Sequence, residues 1–345
     1  MKIEELRKTA SALMDGNKGL IAMDESIASC NKRFRDIGIP ETIEYRRAWR
    51  ELIVTAPGIG NYLSGAILFD ESIYQTTDDG MLFPDILRQT GVIPGIKVDQ
   101  GTVELAGFPT EAITLGLDTL RERLSTYAAV GMKFAKWRAV IRIKNELPND
   151  GCIEANMHEL SRYAALCQEA GILPIVEPEV LMDGVHDIAK CFTVTLKVLN
   201  ELFTELIRQR VDLSCIILKP NMVMPGNSSG QETLIDTVSL NTVLCLLRSV
   251  PAQVPGIAFL SGGQPAQLAT AHLNAMNIKY KSILPWPLTY SYSRAIQQPA
   301  LEYWKGSKDN VHGAQQLLLN RIKLNSLARE GRYNPAMEND LHIMP

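Results

Sequence analysis

The chain reads as an α/β protein, a TIM-type parallel (β/α)8 barrel with extra N- and C-terminal helices. Three observations predict this. Eight short β-rich runs alternate with longer stretches of helical period, the pattern of βα units that feed a parallel sheet. No GxGxxG follows the first run, which favours a closed barrel over an open doubly wound sheet. The length, 345 residues with 46% hydrophobic content, is enough to bury the core of one such barrel.

In order, the runs begin with GLIAMDES from Gly19, SGAILFDES from Ser64, VIPGIKVD from Val92 and GMKFAKWRAV from Gly131. They continue with ILPIVEPEV from Ile172, LSCIILKPNMV from Leu213, GIAFLSGG from Gly256 and IKYKSILPWPLTYSY from Ile278. Ahead of the fourth lies LDTLRERLSTYAAVG, where Leu117, Leu120, Leu124, Tyr127 and Ala128 follow the spacing of one helix face and Gly131 marks a stop. The longest helical stretch is expected from Val185 to Arg210. The first 15 residues and those after about Ser293 also read as helical and fall outside the eightfold pattern. With no linker or repeat, residues 1–345 read as one barrel domain with a tail at about 330–345.

Composition excludes several classes of function. The 35 basic and 38 acidic residues nearly cancel, so neither nucleic acid nor an anionic membrane is an expected partner. Any anion site must be local. Six cysteines (Cys30, Cys152, Cys167, Cys191, Cys215 and Cys245) show no CxxC spacing and read as free thiols of a reducing compartment. The opening MKIEELRKTASALMDG lacks the apolar core of a secretory signal. No apolar run reaches the ~18 residues of a membrane span. A cytoplasmic protein is expected.

Interior barrel strands should be apolar, yet most of these runs carry a charged or hydroxyl residue toward the C-terminal end. Asp24, Lys97, Lys136, Glu177, Lys219 and Ser261 occupy that end of six runs. Active sites of such barrels are assembled from that face. One lysine or aspartate beside a strand is most often a solvated loop residue; six at equivalent positions point to a shared site. A buried charge without a partner is costly, so three lysines and two acids in one mouth must offset one another.

Glu177 and Glu179 are two apart, and a period of two puts both on one face of a strand. Lys136 and Arg138 share that spacing, as do Lys97 and Asp99. Alternation on a solvated edge strand is the competing explanation, but the strongly apolar neighbours favour the barrel interior.

Lys219 follows the apolar SCIIL and precedes Pro220, so its ammonium emerges from a buried strand end. Desolvation and a neighbouring cation such as Lys136 favour the neutral amine, which can attack a ketone. A purely structural pair with Glu177 is the alternative. For anions, Ser261, Gly262 and Gly263 lead from the seventh run into a helix with Pro265 near its start, and the N–H groups of a helix terminus bind oxyanions. Such barrels commonly bind phosphate between the loops after strands seven and eight. Tyr290, Ser291, Ser293 and Arg294 bring the second of these loops, and Arg294 can bind phosphate bidentately. Ser26 and Ser29, followed by Lys32 and Arg33, offer a second anion site across the mouth, or else a helix N-cap with a solvated basic face. Two phosphate sites around a central lysine imply a bisphosphate. No histidine or cysteine grouping suggests a metal.

Taken in order, AMDES, GIKVD, FAKWRAV, PIVEPE, LKPNMV, FLSGGQ and SYSRA resemble class I fructose-1,6-bisphosphate aldolase, from about Lys2 to about Arg329. The resemblance implies a metal-free lyase in glycolysis or gluconeogenesis that needs no cofactor. It cleaves fructose 1,6-bisphosphate reversibly through an imine on Lys219. Glu177 then shuttles protons and Asp24 takes the C4 hydroxyl proton, with Lys136 and Glu179 in support. Ser261, Gly262, Gly263 and Arg294 hold one phosphate, while Ser26, Ser29, Arg33, Lys97 and Arg138 line the path to the other. Family members are usually homotetramers.

Other Schiff-base reactions on related substrates, sedoheptulose bisphosphate among them, share these features, and so does a barrel with an added protein-binding role. Three departures stand out. Ser214 and Cys215 replace the Glu-Gly usual before the apolar pair of the lysine motif. Ser293 replaces the glycine common before the phosphate arginine. The chain ends LHIMP where eukaryotic members have a terminal tyrosine, and the nearest tyrosine upstream is Tyr333.

Overall fold

A computed structural model describes residues 2–232 and 234–339. Its strands are β1 (Gly19–Met23), β2 (Leu63–Leu68), β3 (Ile93–Lys97), β4 (Thr102–Glu104), β5 (Ala112–Thr114), β6 (Phe134–Ile141), β7 (Leu173–Val180), β8 (Ile217–Leu218), β9 (Ile257–Phe259) and β10 (Leu288–Tyr292). Eight of them close into a barrel in the order β1-β10-β9-β8-β7-β6-β3-β2, every pairing parallel. Each expected run contributes one barrel strand.

The boundaries differ in two places. Leu213–Cys215 form a 3-10 turn, held by the Asp212 carboxylate accepting from the Ser214 backbone, so β8 keeps only two residues. Ile278–Tyr280 end the helix Ala266–Tyr280, and the last strand starts later, at Leu288. The antiparallel hairpin of β4 and β5 was not foreseen.

Period-two alternation assigns each strand residue to one of two cores. Facing inward, Leu20, Ala22, Ile67, Phe134, Leu173, Ile175, Ile217 and Ala258 fill the barrel together with Leu6, Ala10, Leu13 and Met14. Three of those four lie on the helix Lys2–Leu13, which thereby plugs the barrel. Glycine makes the fit possible: a Cβ at Gly95 would stand 2.2 Å from the Phe134 ring, and one at Gly65 would stand 2.7 Å from Leu13. Truncating a buried phenylalanine such as Phe134 to alanine costs about 3–5 kcal/mol. Facing outward, Ile21, Leu68, Trp137, Val176, Leu218 and Phe259 pack into the second core with the surrounding helices. Tyr290 belongs there too. Its hydroxyl donates to the Tyr62 carbonyl at 2.9 Å, so it does not reach the mouth expected for it.

The inward rows change character along each strand. Ala22 is followed by Asp24, Gly95 by Lys97 and Asp99, Phe134 by Lys136 and Arg138, Ile175 by Glu177 and Glu179, and Ile217 by Lys219. Apolar packing gives way to charge at the C-terminal ends.

The six cysteines are buried free thiols. No described helix is long and apolar enough to cross a membrane. Beyond the helix Val311–Arg329, Tyr333 is buried, its hydroxyl donating to Glu338 Oε1 at 2.8 Å and its backbone exchanging hydrogen bonds with the Asn274 side chain. The terminal LHIMP lies outside the described residues.

Candidate active site

The C-terminal strand ends open on a cavity of about 1370 Å³, and apart from Tyr290 every residue singled out from the sequence as a site candidate lines it. Strand register sets the arrangement. Lys97 lies opposite Lys136, and Arg138 opposite Glu177. The Lys219 amide donates to the Val176 carbonyl at 2.8 Å, which sets Lys219 beside Glu177.

At the centre, Lys219 Nζ stands 3.1 Å from Glu177 Oε1, and both side chains are almost fully buried. Lys136 Nζ lies 2.8 Å from Asp24 Oδ2, 3.4 Å from Glu177 Oε2 and 3.7 Å from Asp99 Oδ2. The 3.4 Å approach is electrostatic only, because Glu177 Oε2 accepts no hydrogen bond from the described residues. That oxygen is therefore open to a proton or to a ligand hydroxyl. Lys97 Nζ reaches Asp99 Oδ1 at 2.6 Å, and Arg138 Nε donates to Glu179 Oε2. Four cations thus face four carboxylates, which is how so many charges can be buried together.

This mutual pairing sets the protonation states. Burial alone would raise the Asp24 carboxyl, but Lys136 and Lys219 overcome it and hold the group at about 2. Burial likewise opposes the Lys136 charge, yet Asp24, Glu177 and Asp99 outweigh it and hold the ammonium above the ordinary lysine value. Lys136 is thus a fixed cation and Asp24 an ionised acceptor, flanking an amine that has a carboxylate within proton-transfer distance.

The two ends of the cavity differ. At one end Gly262 and Gly263 both take positive φ, +60° and +89°, and turn the chain after β9 into the helix Ala266–Tyr280. A Cβ at Gly263 would sit 3.2 Å from Arg294 Nη2, so glycine admits the guanidinium alongside the turn. Arg294 is exposed on the cavity wall and makes no hydrogen bond or ion pair with another described side chain. Behind the turn, Gln264 Oε1 accepts from His272 Nδ1 at 2.8 Å; burial pushes the His272 imidazole down to about 4, which keeps it neutral.

At the other end Ser26 caps the helix Ile27–Asp36 by accepting from the Ser29 amide, and its hydroxyl donates to Ser29 Oγ at 3.1 Å. Both hydroxyls still line the cavity. Arg33, on the same helix, donates to Glu25 at 2.5 Å and to Gln297 and Gln298 at 3.2 and 3.3 Å.

Three lining residues do more than their place in the sequence suggested. Asp99 bridges Lys97 and Lys136. The Ser291 hydroxyl is buried and has no hydrogen-bond partner among the described residues. Glu25 gathers Arg33 and Ser293. The two-residue spacing from Lys97 to Asp99 signalled the first; nothing in a linear motif signals a partnership between residues as far apart as 25 and 293.

The chain matches the family model "Fructose-bisphosphate aldolase class-I" over residues 5–343. It is 52% identical to a probable fructose-bisphosphate aldolase class 1 of Xylella fastidiosa, over 96% of this chain and 99% of that protein. It is 48% identical to a cytosolic fructose-bisphosphate aldolase of Arabidopsis thaliana, over 95% of this chain and 84% of the other. A fructose-bisphosphate aldolase from Plasmodium falciparum, solved in complex with TRAP and a small-molecule inhibitor, superposes with a TM-score of 0.94 at 42% identity, covering 96% of each chain. On sequence and on fold alike, the chain belongs to the class I fructose-bisphosphate aldolase family and is a lyase of that family.

Proposed function

We propose that Lys219 carries the reaction of this chain, the reversible cleavage of fructose 1,6-bisphosphate, as a covalent imine. The observation that carries this reading is the buried Lys219–Glu177 pair, 3.1 Å apart, with the second oxygen of Glu177 free of hydrogen bonds among the described residues. Glu177 takes a proton from the ammonium, and the amine attacks C2 of the open-chain ketose. Glu177 then protonates the carbinolamine oxygen, which leaves as water and forms the iminium. Asp24 removes the C4 hydroxyl proton. The C3–C4 bond breaks, its electron pair flows into the iminium, and glyceraldehyde 3-phosphate departs from the enamine. Protonation of the enamine carbon and hydrolysis release dihydroxyacetone phosphate.

Lys136 holds Asp24 ionised and steadies the oxyanion that develops at C4, while Glu179 orients Arg138. Ser261, Gly262, Gly263 and Arg294 bind one phosphate; Ser26, Ser29, Lys97, Arg33 and Arg138 line the path of the other. The iminium is the electron sink, so the cycle calls for neither metal nor cofactor. The chain acts as one barrel domain over residues 1–345 with a tail from about 330, in the cytoplasm and as a homotetramer. Borohydride reduction in the presence of dihydroxyacetone phosphate, followed by peptide mass mapping, tests the central step. The reduced adduct is expected on Lys219; trapping on another lysine, or none at all, overturns the assignment.

A further inference from the structure

The residue before Arg294 is Ser293, and its hydroxyl does something unusual for its position. Ser293 is the N-cap of the helix Arg294–Trp304, yet its side chain makes no capping bond. A serine at an N-cap ordinarily accepts from an amide of the first turn. Here Ser293 Oγ donates instead to Glu25 Oε1 at 2.7 Å. The same carboxylate oxygen accepts from Arg33 at 2.5 Å, and the Glu25 carbonyl accepts from Arg50 at 2.9 Å. Gln297, one helical turn beyond Ser293, donates to the Ala22 carbonyl at 2.6 Å and to Ser293 Oγ at 3.3 Å.

These bonds lie on the seam where β1 pairs with β10, whose register couples Leu20 with Ser291 and Ile21 with Tyr292. Past the last paired residues, the Glu25–Ser293 bond continues the connection between the two chain segments. Glu25 directly follows Asp24, and Ser293 directly precedes Arg294. The bond therefore joins the neighbour of the proposed base to the neighbour of the proposed phosphate anchor. Glu25 Oε1 accepts from both Arg33 and Ser293, while Arg294 has no hydrogen-bond or ion-pair partner among the described residues.

We propose that Ser293 is a positioning residue: its bond to Glu25 fixes the Arg294 turn against β1 and so holds the guanidinium where phosphate is bound. This rests on the reading of Arg294 as a phosphate ligand. The test compares Ser293→Ala, Ser293→Thr and Arg294→Ala on fructose 1,6-bisphosphate, fructose 1-phosphate and fructose 6-phosphate. Ser293→Ala is expected to raise KM for the bisphosphate roughly tenfold, the scale of one hydrogen bond to a charged group, with kcat changed less than threefold. The monophosphate spared by Arg294→Ala is spared by Ser293→Ala as well, and Ser293→Thr, which keeps the hydroxyl, restores most of the loss. An unchanged KM in Ser293→Ala, an equal loss on all three substrates, or no rescue by threonine overturns the proposal. If Arg294→Ala itself affects all three substrates alike, the phosphate reading fails first.

Discussion

Lys136 and Asp24 meet at 2.8 Å across the barrel mouth, although β6 and β1, the strands that lead to them, are not neighbours in the sheet. The same ammonium faces Glu177 and Asp99, so one side chain balances three carboxylates. Removing one partner of such a buried set costs about 3–5 kcal/mol. Lys136→Met should therefore lower the melting temperature and reduce kcat by roughly a hundredfold or more. Asp24, relieved of its main cation, should titrate well above its present value of about 2, so the acid limb of the rate profile should move to higher pH. A variant with near-normal turnover and an unmoved acid limb would remove Lys136 from the mechanism.

Arg294 has a simpler expectation. Losing a bidentate guanidinium–phosphate contact costs about 1.5–3 kcal/mol, so Arg294→Ala should raise KM for the bisphosphate by one to two orders of magnitude. A ketose lacking that phosphate should be much less affected, and steady-state kinetics on both substrates decides the matter.

Chelation distinguishes imine chemistry from the metal-dependent alternative. With the iminium as electron sink, prolonged EDTA treatment should leave kcat unchanged. Inhibition that a divalent metal reverses would count against Lys219 as the centre of the reaction.

His272 gives a stability prediction with a definite sign. Burial lowers its pKa from 6.5 to about 4, so between those values the unfolded chain binds a proton that the folded chain refuses. Its contribution is complete above pH 6.5 and is lost progressively as pH falls toward about 4, by roughly 3 kcal/mol in all. Urea unfolding of the wild type and of His272→Asn across this range should give curves that converge as pH falls. Parallel curves would mean that the imidazole does not remain neutral in the fold.

The barrel was legible because eight short apolar runs, buried on both faces, alternate with stretches of helical period and turn polar only toward the mouth. Glu177 and Glu179, or Lys136 and Arg138, declare the mouth by their spacing alone. Short-range signals failed where the tertiary context decided. Ile278 and Tyr280 look like strand residues but end a helix that packs beside the Val311–Arg329 helix. The β4–β5 hairpin, in which only Thr114 is buried, carries no apolar alternation to betray it. The Ser291 hydroxyl and the Glu25–Ser293 bond depend on barrel closure, which brings the last strand beside the first.

The change from apolar to charged along each inward row has a wider meaning. Fit and reactivity occupy opposite ends of the same tube, with Phe134 and the plug helix at one end and Lys219 at the other. Changes at the mouth redirect the chemistry but draw on stability through the buried charge set, and repairs to the plug can restore a weakened fold without retuning the catalyst. The two demands on the sequence are laid out in order down a single strand.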